Sequence, residues 1–431
     1  MNSSTVEPRA WQGLAVLAVW LGITLLLAVV AIPTWSYPLV PIPSLILALD
    51  TLGPRPLFVR WQVRLPRRGY VALSAAVVGI AIAVAALALG SPTPTTDQPL
   101  TITCAARDLW HGVDPYTTYE PQCLSELHAR VSAVTPLEQG PFASDAKTPT
   151  HPQQAAVIAQ DQRTGTHHGF PPYGYPPLAA LLIFPVAFAG WMGISAFVLL
   201  LSAVLLAAIW GRGQPGGRAA FAWQMAALAL LWAFYRWNPE DLSYLLLALA
   251  LGRIDRPRLS SIAMAAAICS NPLAWPAAPV YLAILARDPH RRQRWAWLVG
   301  SVAIGVLPWL LWDRNLLAQL WRFVTLPEFP FGSALGVVAK LPSHNHLAYD
   351  LGLLAGICVC TLVAWRWPVW RWAMVVVVYG SFLLSWRAPL YYYMPILWLS
   401  PAVVLGACRL NRLGASPLPA SMLPPEVAAP L

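Results

Sequence analysis

Charge is the scarcest property of this chain. Only 11% of its 431 residues are Asp, Glu, Lys or Arg, against ~25% in an ordinary soluble domain, which excludes a water-solvated globule. Lysine is nearly missing: Lys147 and Lys340 are the two among 28 basic residues. So strong an arginine bias fits a GC-rich bacterial genome. The six cysteines are too scattered for a metal cluster. No internal repeat is visible, which speaks against architectures built from duplicated halves. What fills the chain is hydrocarbon, with 58% hydrophobic residues and a mean hydropathy of +0.56. Apolar runs of roughly 20 residues recur, the length a helix needs to cross ~30 Å of lipid. The chain therefore reads as an all-α polytopic membrane protein with about 11–13 transmembrane helices.

The first run, Leu14 to Ile32, is longer than a signal-peptide core and follows one Arg and one Glu, so it is read as a span. A net charge of +10 would suit nucleic acid by its size, but its placement follows membrane topology. Arg55, Arg60, Arg64, Arg67 and Arg68 precede the span Tyr70–Leu89, and Arg-bearing turns recur at 212–218, 253–258, 287–294, 366–371 and 409–412. Excess arginine marks the cytoplasmic side. Most acids fall in the alternating loops 91–175, 237–241, 313–346 and 386–389, which are then extracytoplasmic. Residues 1–68 form an N-terminal membrane hairpin and an Arg-rich cytoplasmic loop. Residues 69–408 form the main transmembrane domain, and 409–431 a Pro/Ala-rich disordered cytoplasmic tail. Two segments, 177–210 and 259–286, need a break inside the bilayer, at Pro185 and at Asn271-Pro272.

The loop 91–175 is where chemistry is expected, because a passive spanning protein gains nothing from so long an extracytoplasmic insert. Leu100, Ile102, Ala105, Ala106 and Leu109 recur at helical spacing after Asp97 and before Gly112, so a helix lies here, one face turned to lipid. Asp97 is either its N-terminal cap or a carboxylate poised between a lipid-borne donor and an aqueous acceptor. Asp114-Pro115-Tyr116 is a turn, and 135–166 reads as a flexible insert. His167, His168, Tyr173 and Tyr175 would form a rigid surface on which a sugar stacks, though aromatics also gather at bilayer interfaces. Cys104 and Cys123 share this loop, where a disulfide is chemically open to them. Cys269, Cys358, Cys360 and Cys408 lie in or beside spans as packing residues.

Cations on the extracytoplasmic side are scarce, so Arg236, Arg314 and Arg387 at span ends stand out as phosphate binders or as snorkelling arginines. His344 and His346 occupy a neighbouring loop and fit the same role. Glu240 and Asp241 open a helix whose dipole favours carboxylates, and one of them could contact an acceptor. Asp350, a turn inside a span, carries no assigned role. No metal site or cofactor follows from any of these residues.

Asp97, the stretch Ala105-Ala106-Arg107-Asp108-Leu109-Trp110-His111-Gly112-Val113-Asp114-Pro115-Tyr116, and Tyr175-Pro176-Pro177 with Pro185 together resemble the opening of the GT-C membrane glycosyltransferases, above all glycosyltransferase family 87. The resemblance runs from about residue 69 to 408. It continues at Trp237-Asn238-Pro239-Glu240, at Ala265–Pro272 and at Arg387–Pro395. Ser270-Asn271 stands where the family has a Lys, Trp-Asn where it has Gly-Gln, and no His precedes Tyr391. The resemblance implies a GT-C-like fold, Asp97 as catalytic base and Asp108 among the acceptor-facing residues. It further implies a bacterial plasma-membrane enzyme that transfers mannose or a related sugar from a polyprenyl-phosphate donor to a glycolipid or glycan acceptor, without nucleic acid as partner. Two rivals stand beside it: a transporter or lipid flippase using Asp50, Asp350 and the break at Asn271-Pro272, and an inactive assembly partner.

Overall fold

The computed structural model describes residues 97–116, 123, 126–128, 134, 140–142, 149–164, 173–210, 240–313, 316–324, 346–367, 370–385, 392, 399 and 402–403. Among these, 83% are helical and no strand occurs. Three helices are long and apolar enough to cross a membrane: Gly190–Ile209, Arg291–Trp312 and Ala348–Arg366. The expected hairpin within 1–68, the span 70–89 and the tail 409–431 lie outside the described residues.

A small-residue helix organises the bundle. Helix α6 (Pro257–Ser270) carries Ala263, Ala265, Ala266 and Ala267, so both α5 (Glu240–Gly252) and α8 (Arg291–Trp312) pack closely against it. Helix α4 (Gly190–Trp210) lies against α5. Helix α7 (Ala277–Leu285) packs on α10 (His346–Arg366) and α11 (Arg371–Val377). Leu245, Leu247, Met264, Tyr281, Val375 and Tyr379 belong to the one core these helices share. At Gly356 of α10 an added Cβ would lie 2.6 Å from the Ser381 Cβ, so only glycine permits that approach.

Both expected helix breaks are present. Helix α3 (Pro177–Ile183) ends in a 3₁₀ turn, Phe184–Val186, before α4 begins. Helix α6 stops at Ser270, and the 3₁₀ turn Pro272–Ala274 leads into α7. Ser260 near the start of α6 meets Tyr281 in α7 at 2.7 Å, on either side of the break. That break satisfies itself. Asn271 Oδ1 accepts from Leu273 N–H (2.8 Å), Ser270 Oγ donates to Ala267 O (2.9 Å), and Trp275 Nε1 donates to Ile268 O (3.0 Å).

Arginine gathers at one end of the bundle, where it satisfies the carbonyls that helix C-termini leave over. Arg253 donates to Ala208 O near the end of α4 (2.6 Å), and Arg287 to Trp365 O near the end of α10 (3.1 Å). Buried Arg294 donates to Ile254 O and pairs with Asp288 at 3.0 Å. Helix α8 carries the chain away from this end for about 33 Å at 1.5 Å per residue, to Asp313.

At the other end sits an ordered cap. Helix α1 (Asp97–Trp110) packs on α3, and Ile158 of helix α2 (His151–Thr164) joins its Leu100 and Cys104 in one apolar cluster. A Cys104–Cys123 disulfide ties the following segment back to α1. Leu100, Cys104, Cys123, Leu127, Val134 and Ile158 close into a hydrophobic cluster around it. Trp191 Nε1 donates to Leu127 O (3.1 Å), pinning the cap to the start of α4, and Gln154 Nε2 donates to Val134 O (2.8 Å) within the cap. Two expectations are corrected here. Much of 135–166 is an ordered helix with Val157, Ile158 and Asp161 buried, rather than a flexible insert. Helix α1 is buried along most of its length instead of turning one face to lipid, because Thr101, Thr103, Cys104, Ala105 and Ala106 are small enough for neighbours to close over every side.

With a sequence separation of 19 between its cysteines, the disulfide is worth ~3 kcal/mol in chain-entropy terms. Replacing both cysteines by Ser lowers the unfolding temperature in nanodiscs, and maleimide labels neither cysteine in the folded, unreduced protein. Labelling of either before reduction, or an unchanged unfolding temperature, contradicts the clamp.

Candidate functional site

The cap is built around the end of α1. Gly112 adopts φ +69°, which only glycine enters at no steric cost. Val113 N–H then closes on Asp108 O (2.9 Å) and Gly112 N–H on Leu109 O (3.1 Å), a Schellman stop. The chain reverses as Asp114 Oδ1 accepts from Tyr116 N–H at 3.0 Å. Tyr116 is buried, its ring 5.1 Å from Tyr173 and its hydroxyl donating to Tyr175 O at 2.8 Å. Trp110 stacks flat on Phe184 at 4.5 Å. Arg107 donates to Ala187 O (3.1 Å), pairs with Glu126 (3.3 Å) and lies over the Phe188 ring. The stretch 105–116, the Tyr175-Pro176-Pro177 segment and the turn at Pro185 are separate in sequence and form one contact network.

Tyr116 also joins this network to α8, its ring edge-on to Trp309 at 6.4 Å. One turn beyond Trp309, Asp313 is buried and acts electrostatically on Asp114. Partial burial raises the Asp114 carboxyl above its ordinary value of 3.8; the Tyr116 N–H opposes that shift and the Asp313 charge adds to it. Burial also pushes the Tyr116 hydroxyl well up, aided by Tyr173, Asp114 and Asp313, and burial raises Tyr173 as well. Both phenols are therefore neutral hydrogen-bond donors in the cap. No spacing in the sequence signals the Asp114–Asp313 relation, because tertiary folding alone brings the two residues together.

Asp97 opens α1 and is half-buried. Asp108 follows on the same helix face, about three turns and ~16 Å away along the axis. Gln98, next to Asp97, is 2% exposed, and neither its carbonyl oxygen nor its amide nitrogen has a hydrogen-bond partner.

The expected sugar surface is corrected in part. Tyr173 is 5% exposed, enclosed by Tyr116 and Tyr175 while its hydroxyl donates to Pro176 O, so it presents no open face. Asp108 is 3% exposed, held beneath the end of α1. Tyr175 is half-buried at the rim. The open aromatic face belongs to Trp110, 51% exposed, and Phe188, 54% exposed. Glu240 and Asp241 begin α5 and His346 begins α10; of these three only the backbone is described. His167, His168, Arg236, Arg314, Arg387 and His344 lie outside the described residues. Asp350 is exposed on α10, and Cys358 is exposed while Cys269 and Cys360 are buried. Among the described residues, no group of three or more His, Cys, Asp or Glu could hold a metal ion.

No family model, no curated protein and no solved structure matches this chain.

The Asp114 carboxyl is raised in the folded state, so its contribution to stability is complete below the unfolded value and fades as pH climbs through the raised one. Asp114→Asn keeps an oxygen for the Tyr116 N–H and removes the charge facing Asp313. The variant should unfold at a higher temperature than wild type at pH 7 and at the same temperature near pH 3.5. A variant less stable at pH 7 would show that the charge itself is needed.

Proposed function

We propose that this protein is a membrane glycosyltransferase. It moves mannose or a related sugar from a polyprenyl-phosphate donor to a glycolipid or glycan acceptor, on the side of a bacterial plasma membrane away from the arginine-lined turns. One observation carries the reading: the separate segments behind the family 87 resemblance converge on a single ordered network around a carboxylate-bearing helix. The disulfide of that cap supports its side, because such bonds persist in oxidising compartments.

In the proposed reaction an acceptor hydroxyl oxygen attacks the anomeric carbon of the donor sugar. The bond from that carbon to the phosphate oxygen breaks, and the lipid phosphate leaves with the bonding electrons. Asp97 takes the hydroxyl proton. Its half-buried place at the start of α1 suits a base that must meet both a lipid-borne and an aqueous reactant. The departing phosphate needs cationic or N–H partners, a role assigned to Arg236, Arg314, Arg387, His344 and His346.

The transporter reading draws on the break between α6 and α7. A helix break serves a passenger when it leaves backbone groups unpaired. At Asn271–Trp275 the side chains of Ser270, Asn271 and Trp275 bond the neighbouring backbone instead. That self-satisfaction favours the enzyme.

The test is transfer of labelled sugar from polyprenyl-phosphate mannose in nanodiscs, with no sealed compartment. Wild type should turn over, and Asp97→Asn should lose a factor on the order of 10²–10⁴. Full turnover by the Asn variant removes Asp97 as base. Activity confined to sealed vesicles supports transport instead.

A further inference from the structure

Gln98 is the most anomalous polar residue near the proposed site. A buried amide left without partners costs ~1–3 kcal/mol for each unmet group, and Gln98 leaves both its donor and its acceptor unmet while 2% exposed. Packing does not require the amide, since a methionine fills the same volume with no polar atoms. An unmet buried group of this kind calls for a partner, and a bound ligand can supply it.

Its position says which ligand. At 100° per residue, Gln98 shares a face of α1 with Ile102, Ala105 and Leu109. Ile102 and Ala105 belong to the cluster that includes Ala179 of α3, Leu242 of α5 and Leu316, which opens helix α9 (Leu316–Val324); Trp309 of α8 packs against it. That face of α1 therefore looks onto the cap-side ends of the bundle helices. Asp97 is the adjacent residue, its Cα ~3.8 Å away.

The chemistry narrows it further. A phosphate offers acceptors only, so it would satisfy the Gln98 N–H and leave the carbonyl oxygen unmet. A hydroxyl both donates and accepts. Two neighbouring hydroxyls on one ring meet both halves of a carboxamide, one donating to Oε1 and the other accepting from Nε2. We infer that Gln98 binds a vicinal diol of a hexose at the first turn of α1, positioning that sugar beside Asp97. This inference rests on the glycosyltransferase reading and names a sugar-binding residue for it. Either the donor or the acceptor could bring the diol.

The experiment compares wild type with Gln98→Met in nanodiscs, since sugar-headed detergents would compete. Thermal unfolding is measured alone and with farnesyl-phosphate mannose, with octyl mannoside, and with farnesyl phosphate as the sugar-free control. Without ligand, Gln98→Met should unfold at the same or a higher temperature, as expected when an unmet amide is replaced by an apolar group. Wild type should be stabilised beyond the farnesyl phosphate control by at least one sugar-bearing probe, which identifies donor or acceptor as the source of the diol. Gln98→Met should lose that excess, and its KM for the same sugar should rise roughly tenfold, the loss of one to two neutral hydrogen bonds.

Three results overturn the inference: a lower unfolding temperature for unliganded Gln98→Met, no excess stabilisation of wild type by either sugar probe, or equal sugar response in the two proteins. The two claims separate cleanly. If wild type binds a sugar probe through Gln98 yet transfers nothing, the transferase reading falls and the diol site stands. If wild type transfers sugar and Gln98→Met keeps the wild-type KM, the site falls and the reading stands.

Discussion

The constraint on which this structure depends is the clamp between α1 and the segment that follows it. A helix rich in Thr, Cys and Ala has little apolar surface with which to hold itself down. The Cys104–Cys123 bond, the cluster around it and the hydrogen bond from Trp191 supply what the helix lacks. With α1 held, Asp97 and Gln98 have fixed positions at its start, and Tyr116, Tyr173 and Trp110 lock its far end onto α3 and α8. Without that clamp the charged and polar residues of the loop would be spread along a mobile chain.

Beneath the cap, the two ends of the bundle differ in their polar chemistry. Guanidinium groups occupy one end, where helix C-termini leave carbonyls to satisfy. At the other end, the Asp313 charge acts on the Asp114 carboxyl across the junction of cap and bundle. Like charges brought together cost stability, and such expense is typical of functional sites rather than of scaffolds. Asp114 and Gln98 are two such costs at one end of the molecule.

Much of this was legible in the residues, and the parts that were not have physical reasons. The start and stop of α1 were readable because Asp97 and Gly112 act locally, through charge at a helix start and through φ. The breaks at Pro185 and Asn271-Pro272 were readable because a missing N–H is a local fact. The burial of Tyr173 and Asp108 was not, since a Tyr-rich segment has the same composition whether it lines an open surface or closes on Tyr116. The order of α2 has no clear sequence signal because 151–164 is polar, and Ile158 and Val157 find their partners only in the folded cap, in the disulfide cluster and at Phe142. The nearness of Asp114 and Asp313 depends on tertiary folding and leaves no periodic trace.

The central claim is that a lipid-linked sugar is held at the first turn of α1. An experimental structure in nanodiscs with farnesyl-phosphate mannose tests it most directly. The expected result is the mannose ring at that turn, with the Asp97 carboxylate within reach of an incoming hydroxyl near the anomeric carbon. Mannosyl density at the arginine-lined end, or anywhere remote from α1, would contradict the account.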